Sequence, residues 1–588
     1  MASANAPATA DAVSPAQNAT TPAASKPKLH GRAFYESIGS PKFVVAPMVD
    51  QSEFPLQHQA WRMLTRSFMA PTENEKLLAY TPMFHARLFE ETAKYRDTHF
   101  QATQPAPAAK KGEPEPPIDT TPWLDGNPDI DRPLFVQFCA NEPSHLLAAA
   151  KLAAPYCDAV DLNLGCPQGI ARKGHYGAFL QEDQELIYRL INTLYENLPI
   201  PVTAKIRCLD SKEETLAYAK NVLAAGASIV TLHGRRREQK GHLTGLADWS
   251  YIRYLRDNLP PETVIFANGN ILQRADVDKC LEVTGADAVM SAEGNLSDPS
   301  IFAELPAPTI KTREYWRGRD GKGGYRVDAV FRRYMDIIYK YVARDIPAPV
   351  RRPLFVVGDD QGWLEQAKAE EEPEEEGPAK KKRKKDTAGG SKPKTCSDPN
   401  LLAMRPHLFH LLRHFVATNT DIRDALAKAR PGDVPAFEHV LELVERRVAE
   451  GLIEYEKTDG KSVEEPAAAG QPEASTNGNG AAADGKAEVA LDTESSVAIV
   501  KKCKRPWWIA QPIIRPLPKE ALAKGALSLS KKDKKKMEEE LEKTGKAQDN
   551  GSGSEEYGLP KPDGPDGIKE PKMDDKQKGL VSDELVCG

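Results

Sequence analysis

The spacing of apolar and polar residues divides this chain into regions with different patterns. From residue 43 onward, short apolar runs alternate with stretches in which apolar residues recur at helical spacing. This alternation is typical of repeated strand-helix units that build a parallel sheet. The candidate strands lie at 43–48, 77–83, 134–139, 159–164, 202–207, 229–233, 264–267 and 288–291.

Eight such units within about 250 residues predict the α/β fold class, specifically a (β/α)8 TIM barrel over residues 39–310. The helical stretches between the candidate strands include 146–154, 185–197, 213–225 and 275–283. Barrels of this type carry their chemistry at the carboxyl ends of the strands. Here those ends are polar or contain glycine, as in NLGCP, LHGR, NGN and SAEG. We therefore expect the functional site at this end of the barrel.

Three regions have a composition that does not favour packing into the barrel. Residues 1–38 are expected to form a disordered leader, and residues 101–131 a surface insertion in the second unit. The tail, residues 456–588, is expected to be mostly disordered. It contains one apolar segment, 505–518, whose two adjacent tryptophans predict docking on the protein itself or on a partner rather than chemistry.

A small helical domain is predicted after the barrel, over residues 311–455. Its apolar residues recur at helical spacing in 327–343, 401–415 and 437–448. A run of acidic residues followed by a run of lysine and arginine interrupts it at about 366–397, where we expect a disordered charged insert.

Composition and charge narrow the class of protein. The chain has 588 residues, a formal net charge of −6, and eight cysteines without a CxxC pair. This cysteine usage predicts reduced thiols, no disulfides and no metal site. We expect no secretory signal and no membrane span, and the basic run at 380–385 is typical of nuclear import signals. The expected location is therefore the nucleus, the cytoplasm or both.

The stretch DLNLGCPQGIARKGHYGAFL, residues 161–180, contains the strongest candidate for chemistry. Cys166 lies at the end of a buried strand, between a glycine and a proline that end the sheet pairing. A free thiol titrates near ~8.5, so at neutral pH it is mostly protonated and can donate a proton. The alternative is a small buried hydrophobic residue, the role we expect for Cys139 and Cys208. Its strand-end position favours catalysis for Cys166.

Six motifs occur in the order found in one enzyme family. They are FVVAPMVDQSEF (43–54), the 161–180 stretch, AKIR (204–207), TLHGRRR (231–237), FANGNI (266–271) and MSAEGNL (290–296). Over residues 40–350, and more weakly over 398–455, the chain resembles the tRNA-dihydrouridine synthases, most closely the eukaryotic branch that acts on uridines 16 and 17 of the tRNA D-loop.

The resemblance implies a reaction, its cofactors and its macromolecular partner. The C5=C6 bond of uracil is reduced by reduced flavin mononucleotide (FMN), with hydride going to C6 and a proton from Cys166 going to C5. NADPH or NADH then reduces FMN again. The substrate is tRNA, whose target uridine must leave its stack to reach the barrel mouth.

The resemblance also assigns roles to individual residues. The flavin ring is expected to pack against Pro47, Met48 and Val49. Gln137 is expected to offer an amide to the polar edge of the ring. Lys205 is expected to stabilise negative charge on the flavin, and His233 to hydrogen-bond to it. Asn163 and Arg207 are expected to bind the target base. The flavin phosphate is expected beside Asn268, Gly269, Asn270, Ala292 and Glu293.

One position departs from a common bacterial pattern, in which Gly-Arg occupies the place of Ala292-Glu293. The missing arginine leaves the phosphate charge to backbone amides or to another cation.

The region 311–360 contains 12 Lys and Arg against 7 Asp and Glu, interleaved with Tyr315, Trp316, Tyr325 and Tyr334. This mixture suits contact with RNA phosphates and stacking on unpaired bases, and it suits an ordinary solvated helix face equally well. The helical spacing of His407, His410 and His414 is compatible with a basic face toward RNA and with a plain surface, and metal binding is less favoured than either.

The residues alone leave two other functions open. One is a flavin barrel that reduces a free pyrimidine or another small substrate, which the basic helical domain disfavours. The other is a non-catalytic RNA-binding scaffold, which the presence of Cys166, Lys205 and His233 disfavours. The sequence makes no prediction of oligomeric state.

Overall fold

The computed structural model of the protein describes residues 28–48, 59–104, 121–310, 312–371, 396, 398–463, 496–518 and 520. Nine strands lie in one sheet. They are β1 (Phe43–Val45), β2 (Leu77–Tyr80), β3 (Phe84–His85), β4 (Leu134–Cys139), β5 (Ala159–Leu164), β6 (Val202–Arg207), β7 (Ala227–His233), β8 (Val264–Asn268) and β9 (Ala288–Ser291).

Eight of these strands close into a parallel barrel. Strand β1 pairs with both β2 and β9, β2 pairs with β4, and each later strand pairs with the next. The short strand β3 adds a pairing beside the end of β4. Helices cover the outside, so the strands are buried on both faces, which explains their nearly continuous apolar sequence. The predicted (β/α)8 barrel is confirmed, with all eight predicted strands present.

The four predicted helical stretches of the barrel region are each present to within a few residues. The helices of this region are α1 (Gly31–Ser37), α2 (Gln59–Arg66), α3 (Ala86–Glu91), α4 (Ala93–His99), α5 (Pro143–Ala153), α6 (Gly169–Gly174), α7 (Gln184–Asn197), α8 (Lys212–Ala224), α9 (Ser250–Asn258), α10 (Arg274–Thr284) and α11 (Glu293–Ser297). Helix α8 begins with a capping box between Ser211 and Glu214, which satisfies two backbone N–H groups at its start. Short 3-10 turns occur at Pro71–Lys76, Ala154–Tyr156, Gly177–Leu180, Gly241–Leu243 and Pro399–Ala403.

Helix α1 corrects the predicted boundary of the leader. Its Phe34 and Tyr35 are buried against the barrel, and Arg32 forms an ion pair with Asp287 at 2.6 Å. The prediction of disorder was therefore wrong for residues 28–38, because the polar composition of the whole leader concealed one short apolar anchor. Residues 1–27 lie outside the described part of the chain.

Two carboxylates of the predicted surface insertion, Asp125 and Asp131, are also buried. The Arg62 guanidinium donates to Asp125 at 2.7 Å and to Asp131 at 2.6 Å, and all three side chains are almost completely buried. The interpretation of 101–131 as a surface element was therefore wrong for these two carboxylates, which are part of the packing against α2. Residues 105–120 lie outside the described residues.

The region after the barrel is helical, as predicted. A hairpin of β10 (Tyr315–Arg317) and β11 (Gly323–Tyr325) leads into the helices. These are α12 (Val327–Ile337), which continues as a π turn over Ile338–Val342, α13 (Gly362–Glu371), α14 (Met404–Leu411), α15 (Arg413–Thr418), α16 (Thr420–Lys428), α17 (Val434–Lys457) and α18 (Ser496–Cys503). The apolar face of α12 packs on α17 and α2, which attaches this region to the barrel. Within the described residues, no helix has the length and apolar character needed to cross a membrane.

Candidate active site

The strand ends bring most of the predicted site residues together. In the sheet register Asn163 lies beside Lys205, and Arg207 lies beside His233, which in turn lies beside Asn268. The carboxyl ends of neighbouring parallel strands therefore place amide, cationic and imidazole groups in one barrel mouth.

A chain of buried hydrogen bonds crosses three strands beneath the mouth. Thr203 Oγ1 donates to Asp161 Oδ1 at 2.6 Å, and Gln137 Nε2 donates to Asp161 Oδ2 at 2.8 Å. Asn163 Nδ2 donates to Gln137 Oε1 at 2.8 Å, and the Cys166 amide donates to Asn163 Oδ1 at 2.9 Å. Because each amide both donates and accepts, the chain fixes the orientation of these side chains.

Asp161 belongs to this chain of hydrogen bonds but was not predicted from the sequence. Burial raises the pKa of its carboxyl to about 6, while the hydrogen bonds from Thr203 and Gln137 and the charge of Lys205 act in the opposite direction. An aspartate within a mostly apolar strand, AVDLNL, was the available signal, because a buried carboxylate needs partners.

Cys166 lies just past the end of β5, and 4% of its surface is exposed. Its carbonyl accepts a hydrogen bond from the Ala178 amide at 3.0 Å. Gly177 has a φ of +65°, and a Cβ added there would lie 2.8 Å from the Cys166 carbonyl oxygen and 2.9 Å from its Cβ. Only glycine fits this approach, so the 3-10 turn after Tyr176 fixes the backbone that carries the thiol.

Arg207 contacts the loop that carries Cys166. Its Nε donates to the Gly165 carbonyl at 2.6 Å and its Nη1 to the Arg236 carbonyl at 3.2 Å. It thereby holds the residue before the thiol in place, a positioning role that the sequence analysis did not assign. Its expected contact with the base stays a prediction.

His233 is completely buried at the end of β7. Burial, together with the charges of Arg207, Lys205 and Arg235, lowers its pKa well below the usual range, so the ring is neutral at neutral pH. Arg235 Nη1 lies 3.1 Å from its Nε2, and because a guanidinium only donates, Nε2 is the acceptor. The proton is then on Nδ1, which has no hydrogen-bond partner among the described residues.

A cleft of about 930 Å³, open solvent included, lies at the ends of β8 and β9. Four cationic side chains and one carboxylate line it, namely Arg207, Arg235, Lys240, Arg515 and Glu293. In many TIM barrels phosphate binds at the ends of these last two strands. The charge of the lining suits an anion.

The predicted phosphate residues have different roles within this cleft. Asn268 donates to the Met290 carbonyl at 3.0 Å, and its Oδ1 has no partner among the described residues. Asn270 accepts from Arg235 Nη2 at 2.9 Å and from the Ala247 amide at 3.0 Å, so its side chain is engaged within the protein. Gly269, with a φ of +112°, lies so close to Ala247 that a Cβ would be 2.6 Å from that residue's Cβ.

The other two members of that set are Ala292 and Glu293. Both line the cleft, and the Glu293 carboxylate accepts from Arg515 Nη2 at 2.7 Å. A carboxylate repels phosphate, so the side chain of Glu293 is not a phosphate ligand, and its partner Arg515 comes from the C-terminal tail.

The sequence pattern of the family described as Dihydrouridine synthase (Dus) matches residues 44–355. The chain belongs to the dihydrouridine synthase family. The resemblance found in the motifs is thereby confirmed, and with it the class of enzyme.

Curated relatives of this dihydrouridine synthase carry more specific names. The tRNA-dihydrouridine(16/17) synthase [NAD(P)(+)] of Saccharomyces cerevisiae is 45% identical over 400 residues, covering 68% of this chain and 72% of the relative. The protein of the same name from Schizosaccharomyces pombe is 38% identical over 492 residues, covering 83% and 92%. The human tRNA-dihydrouridine(20a/20b) synthase [NAD(P)+]-like protein is 30% identical over 276 residues, covering 46% and 74%.

The first strand of this dihydrouridine synthase ends in two of the residues expected to pack against the flavin. Pro47 and Met48 are buried directly after β1. Val49, the third residue of that set, lies outside the described residues.

Two of the three histidines predicted to face RNA are engaged inside the protein. His407 is 1% exposed, its ring lies 4.9 Å from that of Trp61, and its Nδ1 lies 3.0 Å from the Tyr334 hydroxyl. His414 Nε2 lies 3.0 Å from the Pro512 carbonyl oxygen. The RNA-facing interpretation was therefore wrong for these two, because helical spacing gives the face of a helix but not what covers it. Within the described ranges, no cluster of three His, Cys, Asp or Glu could hold a metal ion.

The basic and aromatic residues of 311–360 are also largely engaged within the protein. Tyr315 and Tyr334 are buried, and Trp316 packs edge-on against Trp508. Several arginines pair with carboxylates, as in Arg326 with Asp328, Arg332 with Glu445, Arg333 with Glu314, and Arg351 with Glu438. Stacking of bases on Tyr315 and Tyr334 is therefore contradicted, and much of the positive charge in this region is neutralised.

Proposed function

We propose that this dihydrouridine synthase reduces the C5=C6 bond of uridines 16 and 17 in the D-loop of tRNA, with FMN in the barrel mouth and NADPH or NADH as its reductant. The observation that carries the proposal is the hydrogen-bond chain that fixes Cys166 and Asn163 at adjacent positions in the mouth. The higher identity to the two relatives named for positions 16/17 than to the one named for 20a/20b supports the choice of uridine.

The residues of the mouth fit FMN. The His233 Nδ1–H and Asn268 Oδ1 are a buried donor and a buried acceptor without described partners, the kind of groups that a bound ligand satisfies. The cationic cleft beside them suits the phosphate of the cofactor. When bound, FMN supplies the hydride that reaches C6.

The side chains of the reaction then have distinct tasks. The Cys166 thiol gives its proton to C5, and Gly177 and Arg207 hold the backbone that positions it. Asn163 uses one N–H for Gln137, which leaves its second N–H for a carbonyl oxygen of the base. Lys205, beside Asn163 in the register, places positive charge where negative charge develops.

The nucleus, the cytoplasm or both are the proposed location of the protein. The basic run 380–385 that supports nuclear import lies outside the described residues.

A test of the proposal begins with the visible spectrum of the purified full-length chain. The protein is then incubated with NADPH and tRNA that lacks dihydrouridine, and dihydrouridine is measured in the RNA. We expect a yellow protein that forms dihydrouridine, with free uridine left unreduced. A yellow protein that reduces free pyrimidines but not tRNA would replace the proposal with a small-substrate reductase, and a colourless, inactive protein would replace it with an RNA-binding scaffold.

A further inference from the structure

The C-terminal segment, residues 496–518, is fixed on the hairpin and helix that follow the barrel. The Val327 amide donates to the Trp508 carbonyl at 2.9 Å, and the Ala510 amide donates to the Tyr325 carbonyl at 2.9 Å. Trp508 is 1% exposed and packs edge-on against Trp316, with ring centres 5.7 Å apart. The segment is therefore packed on the protein itself. Of the two kinds of docking predicted from the adjacent tryptophans, on the protein or on a partner, the structure has the first.

Beyond this anchor the segment reaches the cleft at the ends of β8 and β9. Ile513, Ile514 and Arg515 line the cleft, and Arg515 donates to Glu293 at 2.7 Å. Glu293 occupies the position at which the common bacterial pattern has an arginine. Arg515 of the tail therefore places a cation beside the position at which the barrel sequence lacks an arginine.

The cleft around Arg515 is lined by more cationic than anionic side chains. The described hydrogen-bond partners of Arg235 are all neutral, namely the Gly245 carbonyl, Nε2 of His233 and Oδ1 of Asn270. Burial, opposed by Glu293 but reinforced by the charges of Arg207 and Arg515, lowers the pKa of Arg235 to about 10. A second anion in the cleft would relieve this crowding, because crowded and partly desolvated cations are stabilised by a negative partner.

We propose that Arg515 binds the phosphate group of FMN, replacing the arginine absent at position 293, and that Glu293 orients its guanidinium toward the cleft. This inference rests on the proposed function, since it assumes that FMN is the cofactor. A guanidinium that pairs with a carboxylate through one nitrogen retains further N–H donors for phosphate oxygens. The tail then contributes directly to cofactor binding.

The test compares two ligands that differ only in the phosphate. FMN and riboflavin are titrated into the full-length apoprotein by flavin fluorescence, for the wild type, Arg515→Ala, and the control Lys502→Ala. Lys502 is an exposed cation of the same segment that does not line the cleft. We expect Arg515→Ala to weaken FMN binding about tenfold or more, as loss of one charge-assisted hydrogen bond does, and to leave riboflavin binding unchanged. Lys502→Ala should change neither.

Glu293→Gln separates phosphate binding from a purely structural ion pair. If Arg515 binds phosphate, Glu293→Gln leaves FMN binding equal to or tighter than that of the wild type, because a glutamine oxygen still accepts from the Arg515 guanidinium and orients it, while the charge that repels phosphate is gone. If Arg515 serves only to hold the segment on Glu293, Glu293→Gln and Arg515→Ala weaken binding alike, and riboflavin is affected as much as FMN. That result would overturn the inference.

The remaining outcomes are also decisive. Equal FMN affinity in wild type and Arg515→Ala would contradict the role of Arg515 while leaving the proposed function intact. A wild-type protein that binds no FMN would remove the proposed function and this inference together. An Arg515→Ala effect on the affinity for NADPH, with FMN affinity unchanged, would reject the FMN assignment and place the phosphate of the nicotinamide nucleotide in the cleft instead.

Discussion

The two halves of the barrel mouth are assembled in different ways. The reaction half, defined by Gln137, Asp161, Asn163, Cys166 and Lys205, is built by three consecutive strands and the loop after β5. The anion half, at the ends of β7 to β9, includes an arginine that lies 222 positions from the glutamate it contacts. The comparison indicates that the reaction half is built locally by the barrel, whereas the anion half includes a side chain from a distant segment.

The largest effect is expected from Cys166→Ala, which removes the proposed proton donor of the reaction half. Loss of a positioned general acid lowers the rate by about 10²- to 10⁴-fold. Dihydrouridine formation on tRNA should fall accordingly, while the flavin spectrum and FMN affinity stay at wild-type values. Cys208→Ala, at a buried thiol after β6, is the matched control, and an equal loss of activity in both variants would contradict the assigned role.

Trp508→Ala tests whether the anion half depends on the docked segment. Truncation of a buried tryptophan costs about 3–5 kcal/mol of packing, enough to release the segment and withdraw Arg515 from the cleft. FMN affinity should then fall by about as much as in Arg515→Ala, about tenfold, and the double variant should bind no more weakly than either single variant. Trp363→Ala, on α13 away from the cleft, is the control. If the losses of FMN affinity add up in the double variant, Trp508 and Arg515 act independently, which would contradict the dependence of Arg515 on the docked segment.

Asp161→Asn tests the charge within the hydrogen-bond chain. The folded protein holds the proton of Asp161 up to a pH of about 6, whereas the unfolded chain releases it near the ordinary value of 3.8. As the pH rises through this window, the unfolded chain ionises first and gains stability, so the folded state becomes less stable. Relative to the variant, the wild type should lose about 2 kcal/mol of unfolding free energy between pH 4 and pH 7. Urea unfolding of both proteins at each pH measures this difference, and parallel pH profiles would contradict it.

A smaller loss of stability is expected from Gly177→Ala, at the turn that packs on Cys166. A left-handed backbone at a residue with a Cβ, together with the close approach to Cys166, costs about 1–3 kcal/mol. The urea midpoint should fall, and turnover should fall with it because the thiol is displaced. At Gly169, the first residue of α6, an added Cβ meets nothing within 4 Å, so Gly169→Ala should match the wild type. Equal midpoints for the two variants would show that the turn tolerates a side chain.

The sequence predicts the barrel and the reaction half closely, because both depend on local patterns. Apolar runs mark the strands, and the register of the strand ends places Asn163 beside Lys205 and Arg207 beside His233. Asp161 was missed because its partner Thr203 lies on the neighbouring strand, so the sequence shows an acidic residue within a strand but not the pairing that holds it.

The anion half and the helical region could not be predicted to the same depth. Nothing near Arg515 in sequence connects it to Glu293, since only the folded tail brings them together. In the helical region, spacing identified the helices but not their covered faces, so His407 was assigned to RNA although it packs against Trp61. Polar and aromatic residues in such a region are as useful for packing as for binding, and their tertiary contacts decide between the two.

The position of dihydrouridine in tRNA tests the central claim most directly. An unmodified tRNA transcript with uridines at positions 16, 17, 20, 20a and 20b is incubated with the full-length protein, FMN and NADPH, and reduced positions are mapped at single-nucleotide resolution. We expect reduction at 16 and 17, abolished by Cys166→Ala. Reduction at 20a and 20b with 16 and 17 left intact, or no dihydrouridine at any position, would contradict it.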